Sequence, residues 1–93
     1  MYYLLTYRTA PDYYRLRLPF REAHLSHVRA YHQKGLIVMA GALEPPAERA
    51  VIVFHCKDEA PIQAFIKEDP YVQNGLILSH EIHSWNVVIG HQK

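Results

Sequence analysis

The chain has 93 residues, 49% of them hydrophobic and 20% charged, with ten Lys and Arg against nine Asp and Glu. That is one domain's worth of ordinary globular composition, too apolar for intrinsic disorder. A net charge of +1 lacks the basic excess of a nucleic-acid binder, no apolar run nears the roughly 18 residues of a membrane span, and the single Cys56 supports neither a disulfide framework nor a cysteine-rich metal site. The opening Met1-Tyr2-Tyr3-Leu4-Leu5 has no basic region and no long apolar stretch of the kind that marks a secretory signal. The expected location is therefore the cytoplasm, and the expected partners include neither nucleic acid nor membrane. A chain this short buries only about 60–65% of its unfolded surface, so contact with a second copy would add to a thin core.

Residues 2–9 are aromatic and β-favouring and read as a first strand, broken by Ala10-Pro11-Asp12. Residues 13–18 fit no single pattern. Pro19 suits the first turn of a helix, and a helical pattern runs from there to about Lys34. Phe20, His24, Val28 and Tyr31 share one face of it, with Glu22, Ser26, Arg29 and Gln33 opposite. Gly35 is a natural end for that helix. Residues 36–43 form a continuous apolar run, the mark of a buried second strand, with Leu36, Val38 and Ala40 on one side and Ile37 and Met39 on the other. The loop 44–49 is rich in Pro and charge, and residues 50–57 read as a third strand. Asp58 can cap a second helix over about 59–68, whose apolar face is Ile62, Phe65 and Ile66. Asp69-Pro70 is the pairing of an N-cap with a first-turn proline, and it predicts a short helical turn ended by Gly75. Residues 76–89 are a long β-rich stretch with a kink expected near Ser84, and 91–93 form a short tail.

The order is β-α-β-β-α-β, one ferredoxin-like α+β domain over residues 1–93. Right-handed crossovers place both helices on one face of a four-stranded antiparallel sheet. A sheet with one wet face should alternate apolar and polar residues. Strands two and three do not, which predicts a homodimer packed sheet against sheet.

The same topology makes the two helices antiparallel neighbours, so the start of the first lies beside the end of the second. His24 is early in the first helix on its apolar face, and Asp69 closes the second. A carboxylate beside an imidazole fixes its tautomer and stabilises its protonated form, a common arrangement for general acid–base chemistry. Asp69 as a structural cap and His24 as a packed side chain are the plainer alternatives. Seven histidines also raise the question of metal. His24 and His27 have helix-compatible spacing, but His27 should turn toward solvent. His80 and His83 point to opposite faces of a strand, and no recognised ligand motif is present, so no metal is expected. Four scattered glycines make no phosphate loop, and no nucleotide cofactor is expected either. Cys56, at the end of a strand, reads as a small core or rim residue. Arg15, Arg17, Arg21 and Arg29 cluster around the first helix as a largely solvated face, with Arg21 and Arg8 nearest the cleft as anchors for an acidic small-molecule substrate. Tyr7 and Tyr71 are candidates to line an aromatic-friendly pocket, and Tyr31 to fill the core.

The chain resembles the YciI-like (YCII-related) family over nearly its whole length. The resemblance is carried by Arg21-Glu22-Ala23-His24-Leu25, by Gly35 with Ala40-Gly41, by Asp69-Pro70-Tyr71-Val72-Gln73-Asn74-Gly75-Leu76, and by Glu81-Ile82 with Trp85-Asn86-Val87-Val88. It implies a ferredoxin-like domain that dimerises through its sheet in the manner of dimeric α+β barrels. It also implies a site built on His24 and Asp69. Some members of the family are implicated in cofactor-free elimination or isomerisation during breakdown of chlorinated aromatics. By that resemblance the chain is a cofactor-independent acid–base catalyst acting on a small aromatic or acidic metabolite. The alternative is a non-catalytic, small-molecule-binding or stress-related dimeric module with a structural His–Asp pair. One departure is Gly41-Ala42, where many relatives have Gly-Pro.

Overall fold

A computed structural model describes residues 1–90; the expected tail at 91–93 lies outside them. Strand β1 is Tyr2–Thr9, β2 Ile37–Ala42, β3 Arg49–His55 and β4 Ile77–Trp85. They form one sheet in the order β2-β3-β1-β4, with every neighbouring pair antiparallel. The helices are α1 (Tyr13–Leu16), α2 (Arg21–Gln33), α3 (Ala60–Glu68) and α4 (Pro70–Gln73), with a 3₁₀ turn at Leu18–Phe20 between the first two. This is the ferredoxin-like α+β fold, with the helices on one face of the sheet.

Alternation along the strands builds the core. Tyr3, Leu5, Tyr7 and Thr9 of β1 point to the helical side and are buried. Leu5 lies directly between Ile52 of β3 and Ile82 of β4. Helix α3 brings Ile62, Phe65 and Ile66 down onto this layer. Phe65 meets Phe54 and Tyr31 edge-to-face at ring separations of 5.5 and 5.1 Å, a favoured aromatic geometry. Tyr31 thus fills the core, as its position on the helix predicts. Asp58 accepts a hydrogen bond from the Ala60 backbone N–H at 3.0 Å and helps to start α3. Cys56 is buried just beyond β3, and its thiol donates to the Asp58 carbonyl at 3.2 Å.

Three local expectations are corrected. The simple alternation expected for strand two fails because Ile37 pairs with Phe54 while Met39 pairs with Val53. Val38 is therefore an extra residue in a β-bulge, which shifts everything after it by one position. Ile37, Ala40 and Ala42 consequently share the helical side, and Met39 and Gly41 take the other. The long last strand stops at Trp85, which pairs with Tyr2, the first residue of β1. Val88 and Ile89 are left exposed. The first long helix begins at Arg21 rather than Pro19, and the ambiguous 13–18 stretch supplies α1.

No element among the described residues covers the second face of the sheet. Leu4, Val51 and Val53 are half-buried there by their neighbours, while Met39 is 65% exposed. Thr6, Arg8, Arg49 and Glu81 share this face by register. No helix among the described residues is long and apolar enough to cross a membrane.

The bulge gives a direct test. Ile37→Ala should cost about 2–5 kcal/mol, because Ile37 is 2% exposed. Val38→Ala should stay within about 0.5 kcal/mol, the ordinary range of a surface change. Urea denaturation of both variants decides it, and equal losses would contradict the register.

Candidate active site

The site forms where α2 and α3 run past each other in opposite directions. His24 of α2 meets Asp69 at the end of α3, and one turn along each helix His27 meets Phe65. Asp69 sits where it does because of the proline that follows. A residue before proline is pushed out of the helical region, and Asp69 adopts φ −73°, ψ 120°, ending α3. Pro70 then opens α4, with Asp69 as its N-cap: the carboxylate accepts from the Tyr71 backbone N–H at 3.0 Å. Gly75, at φ 78°, takes the left-handed conformation that releases the chain into β4.

This break turns the Asp69 side chain inward, where it is completely buried. Three donors converge on it. Tyr71 N–H and the His24 imidazole reach Oδ1, the latter at 2.8 Å, and the Tyr7 hydroxyl donates to Oδ2 at 2.8 Å. With a carboxylate as acceptor, His24 Nδ1 carries the proton and donates. Its Nε2 has no hydrogen-bond partner among the described residues and keeps a lone pair available. The imidazole also lies flat on the Tyr71 ring, at a centroid distance of 3.7 Å and an interplanar angle of 7°. Carboxylate and ring together fix both the tautomer and the orientation of the imidazole.

Above this cluster is a cavity of about 180 Å³. Arg17, Arg21, His24 and Tyr71 supply its polar wall, and Val28 and Ile52 are among its apolar lining. Ala40, Gly41 and Ala42 of β2 also line it, so the Gly-Ala departure lies in the cavity wall. The space suits one small molecule, being below the usual range of about 300–1,000 Å³ for drug-sized ligands. The His24 side chain keeps 14% exposure.

Of the residues singled out from sequence, the structure brings His24, Asp69, Arg21, Tyr7 and Tyr71 together. Arg8 is not with them. It points to the opposite face of the sheet, paired in register with Arg49 and Ser79, because the inward positions of β1 are the odd-numbered ones. Tyr7 lines the cavity, yet its hydroxyl is committed to Asp69. An inward-facing, buried tyrosine needs an acceptor, and that requirement was the available signal. Arg17 was also missed as a wall of the cavity. It continues the stripe of Arg21, His24 and Val28 at helical spacing, and Pro19 hid that continuity. His27 is packed rather than turned to solvent: its Nε2 meets the Phe65 carbonyl at 2.9 Å, and its ring stacks on Phe65 at 4.5 Å. The closeness of α2 to α3 puts positions 24 and 27 both against the second helix. Among the described residues, no three His, Cys, Asp or Glu side chains are placed to hold a metal ion.

Burial, reinforced by the Asp69 charge, pushes the Tyr7 phenol far above the usual range, so Tyr7 stays a hydrogen-bond donor at any pH the fold tolerates. Tyr13 is pushed up to about 12, chiefly by burial and then by Tyr71. Burial also raises Tyr71, opposed by the nearby Arg17 and Arg21 guanidinium groups.

The model of the YCII-related domain matches residues 1–86. The chain belongs to this family. No curated protein matches it. Among solved structures it is similar to 5-chloro-2-hydroxyhydroquinone dehydrochlorinase (TftG) from Burkholderia phenoliruptrix AC1100, in complex with 2,5-dihydroxybenzoquinone. That match has a TM-score of 0.79 at 17% identity and covers 92% of this chain and 94% of the other. An antibiotic biosynthesis monooxygenase-like protein from Bacteriodes thetaiotaomicron VPI-5482 matches with a TM-score of 0.61 at 18% identity, over 100% and 93% of the two chains. Protein Atu4242 from Agrobacterium tumefaciens matches at 0.53 and 19%, over 88% of each. At these identities the likeness establishes the shared ferredoxin-like fold of this YCII-related domain.

Two measurements probe the cluster. Tyr7→Phe leaves Asp69 Oδ2 buried without a donor and should cost about 1.5–3 kcal/mol in chemical denaturation; an unchanged midpoint would mean the hydroxyl is dispensable. Tyr7 and Tyr13 hold their protons in the folded state past pH about 10, where an unfolded tyrosine loses its own. Their contribution to stability is therefore complete below that pH and is lost as pH rises toward the Tyr13 value of about 12. Tyrosinate absorbance followed together with circular dichroism should show the last ionisations coinciding with unfolding. Ionisation of all seven tyrosines near pH 10 with the fold intact would contradict the burial.

Proposed function

We propose that this YCII-related domain is a cofactor-independent acid–base catalyst. His24 transfers a proton in an elimination or isomerisation of a small aromatic or acidic metabolite. The observation that carries the reading is the division of labour on one imidazole: Nδ1 is tied to a buried carboxylate, Nε2 has no partner among the described residues, and His24 lines a cavity. Nε2 takes a proton from an acidic C–H of the substrate. Asp69 stabilises the imidazolium that results. The electron pair left on carbon either expels a leaving group or relocates within the substrate, and His24 can return the proton to the product. Arg21 is the anchor for an acidic substituent, and Tyr71 presents the base. The dehydrochlorinase activity named for TftG, an elimination, supports this class of chemistry.

The assembly that goes with this reading is a cytoplasmic homodimer. The open face of the sheet, with Leu4, Val51, Val53 and the exposed Met39, packs on its copy. Light scattering should return twice the chain mass, and a stable monomer at micromolar concentration would end that part of the reading.

The chemical part is tested by proton exchange. A panel of small phenols, hydroxyquinones and keto acids is incubated with the protein in D₂O and followed by NMR. At least one should exchange or eliminate at an enhanced rate. His24→Gln should lower that rate by about 10²–10⁴-fold, the usual worth of a positioned base. Binding without turnover by both proteins would instead identify a non-catalytic module with a structural His–Asp pair.

A further inference from the structure

Two of the residues that line the cavity beside His24 each carry a buried polar atom that the described residues leave unsatisfied. The Tyr71 hydroxyl and Arg17 Nε are both buried, and neither has a hydrogen-bond partner among the described residues. Tyr71 as a whole is 1% exposed. Native proteins rarely leave such groups unpaired, and each instance calls for an explanation. Here both residues line the same cavity as His24, so a ligand in that cavity is the explanation that serves both.

The surroundings specify what the ligand carries. Arg17 is held by packing: its guanidinium lies 4.3 Å from the Tyr14 ring centroid and 5.4 Å from that of Tyr13. Arg17 Nε can only donate. Burial keeps the Tyr71 hydroxyl protonated against the pull of Arg17 and Arg21, so it donates as well. Arg21 comes near enough to act on Tyr71 electrostatically without meeting hydrogen-bond geometry. No Asp or Glu lines the cavity, and the remaining lining is largely apolar, with Leu25, Val28 and Ile52. Two donors and two guanidinium groups on residues that line a cavity of largely apolar remainder call for a negative oxygen on a small apolar body.

We propose that Arg17 Nε and the Tyr71 hydroxyl form an oxyanion-binding pair, and that the ligand is a single-ring molecule bearing an anionic oxygen, either a carboxylate or an ionised enol or phenol. The proposal rests on reading this cavity as the site of proton transfer. It adds Arg17 as a substrate-positioning residue and gives Tyr71 a second task besides stacking under His24. A ring anchored in this way lies within the same small cavity that His24 lines.

Calorimetric titration tests this with three probes: benzoate for the carboxylate, 2,5-dihydroxybenzoquinone for the ionised enol, and benzamide as a neutral counterpart of benzoate. The wild type should bind at least one of the two anions and prefer it at least tenfold over benzamide. Arg17→Met should weaken that anion by about 10- to 100-fold, and Tyr71→Phe by roughly tenfold, the worth of hydrogen bonds to a charged group. Benzamide affinity should not change. Circular dichroism confirms folding of each variant. If Arg17→Met does not fold, Arg17→Lys keeps the charge without the Nε donor and should still weaken the anion by roughly tenfold. His24→Gln should retain anion binding while losing proton exchange, which separates this proposal from the catalytic reading. Failure of exchange alone overturns the catalysis and leaves the anion site standing. Wild type that binds neither anion, or anion binding unchanged by Arg17→Met and Tyr71→Phe, overturns the oxyanion pair.

Discussion

A carboxylate with no exposure must be met by donors, and Asp69 is met from three directions. Tyr7 comes from β1, His24 from α2 and the Tyr71 backbone from α4. Each of those elements is far from Asp69 along the chain or separated from it by a helix break, so the carboxylate works as a tie between sheet and helices. An unmatched buried charge would be strongly unfavourable. The Pro70 break, the inward Tyr7 and the antiparallel approach of α2 to α3 are therefore interdependent: moving any one leaves part of Asp69 without a partner.

The same tie makes the site polar in a directed way. The donors on Asp69 come from residues that also line the cavity, His24 and Tyr7 among them, and His24 meets the carboxylate through one ring nitrogen only. Tyr71 backs the imidazole with its ring and Asp69 with its N–H, so one short helix serves both halves of the pair. The bulge at Val38 contributes to the cavity wall. It turns Ala40 and Ala42 to the helical side, where the small side chains of β2 leave the cavity open. A regular strand would have presented Met39 there instead. Local irregularities at Asp69, Val38 and the α1–α2 junction thus account for most of the site, on a scaffold that is otherwise regular.

This division explains what was legible in the sequence. Strand and helix periodicity fixes the β-α-β-β-α-β order, and the order alone makes the two helices antiparallel and brings His24 near Asp69. The Asp-Pro step signals both the cap and the turn after it. What periodicity misses is any change of phase. Val38 reversed the faces of β2 without any signal in a run where every residue is apolar. Pro19 interrupted the helical stripe and separated Arg17 from Arg21, although their spacing matches. The parity of β1 placed Arg8 on the wrong side of the sheet from the cleft, and a count from Leu5 would have revealed it. The end of β4 at Trp85 coincides with the start of β1 at Tyr2, a non-local pairing that no property of residues 86–89 encodes.

The central claim is that Asp69 holds His24 as the Nδ1–H tautomer with Nε2 unprotonated. ¹⁵N NMR of the His24 ring at a pH where the imidazole is neutral tests it most directly. The account predicts a protonated Nδ1 and an unprotonated Nε2 in the wild type, and loss of that preference in Asp69→Ala. A wild-type ring protonated at Nε2, or a tautomer unchanged by Asp69→Ala, would contradict it.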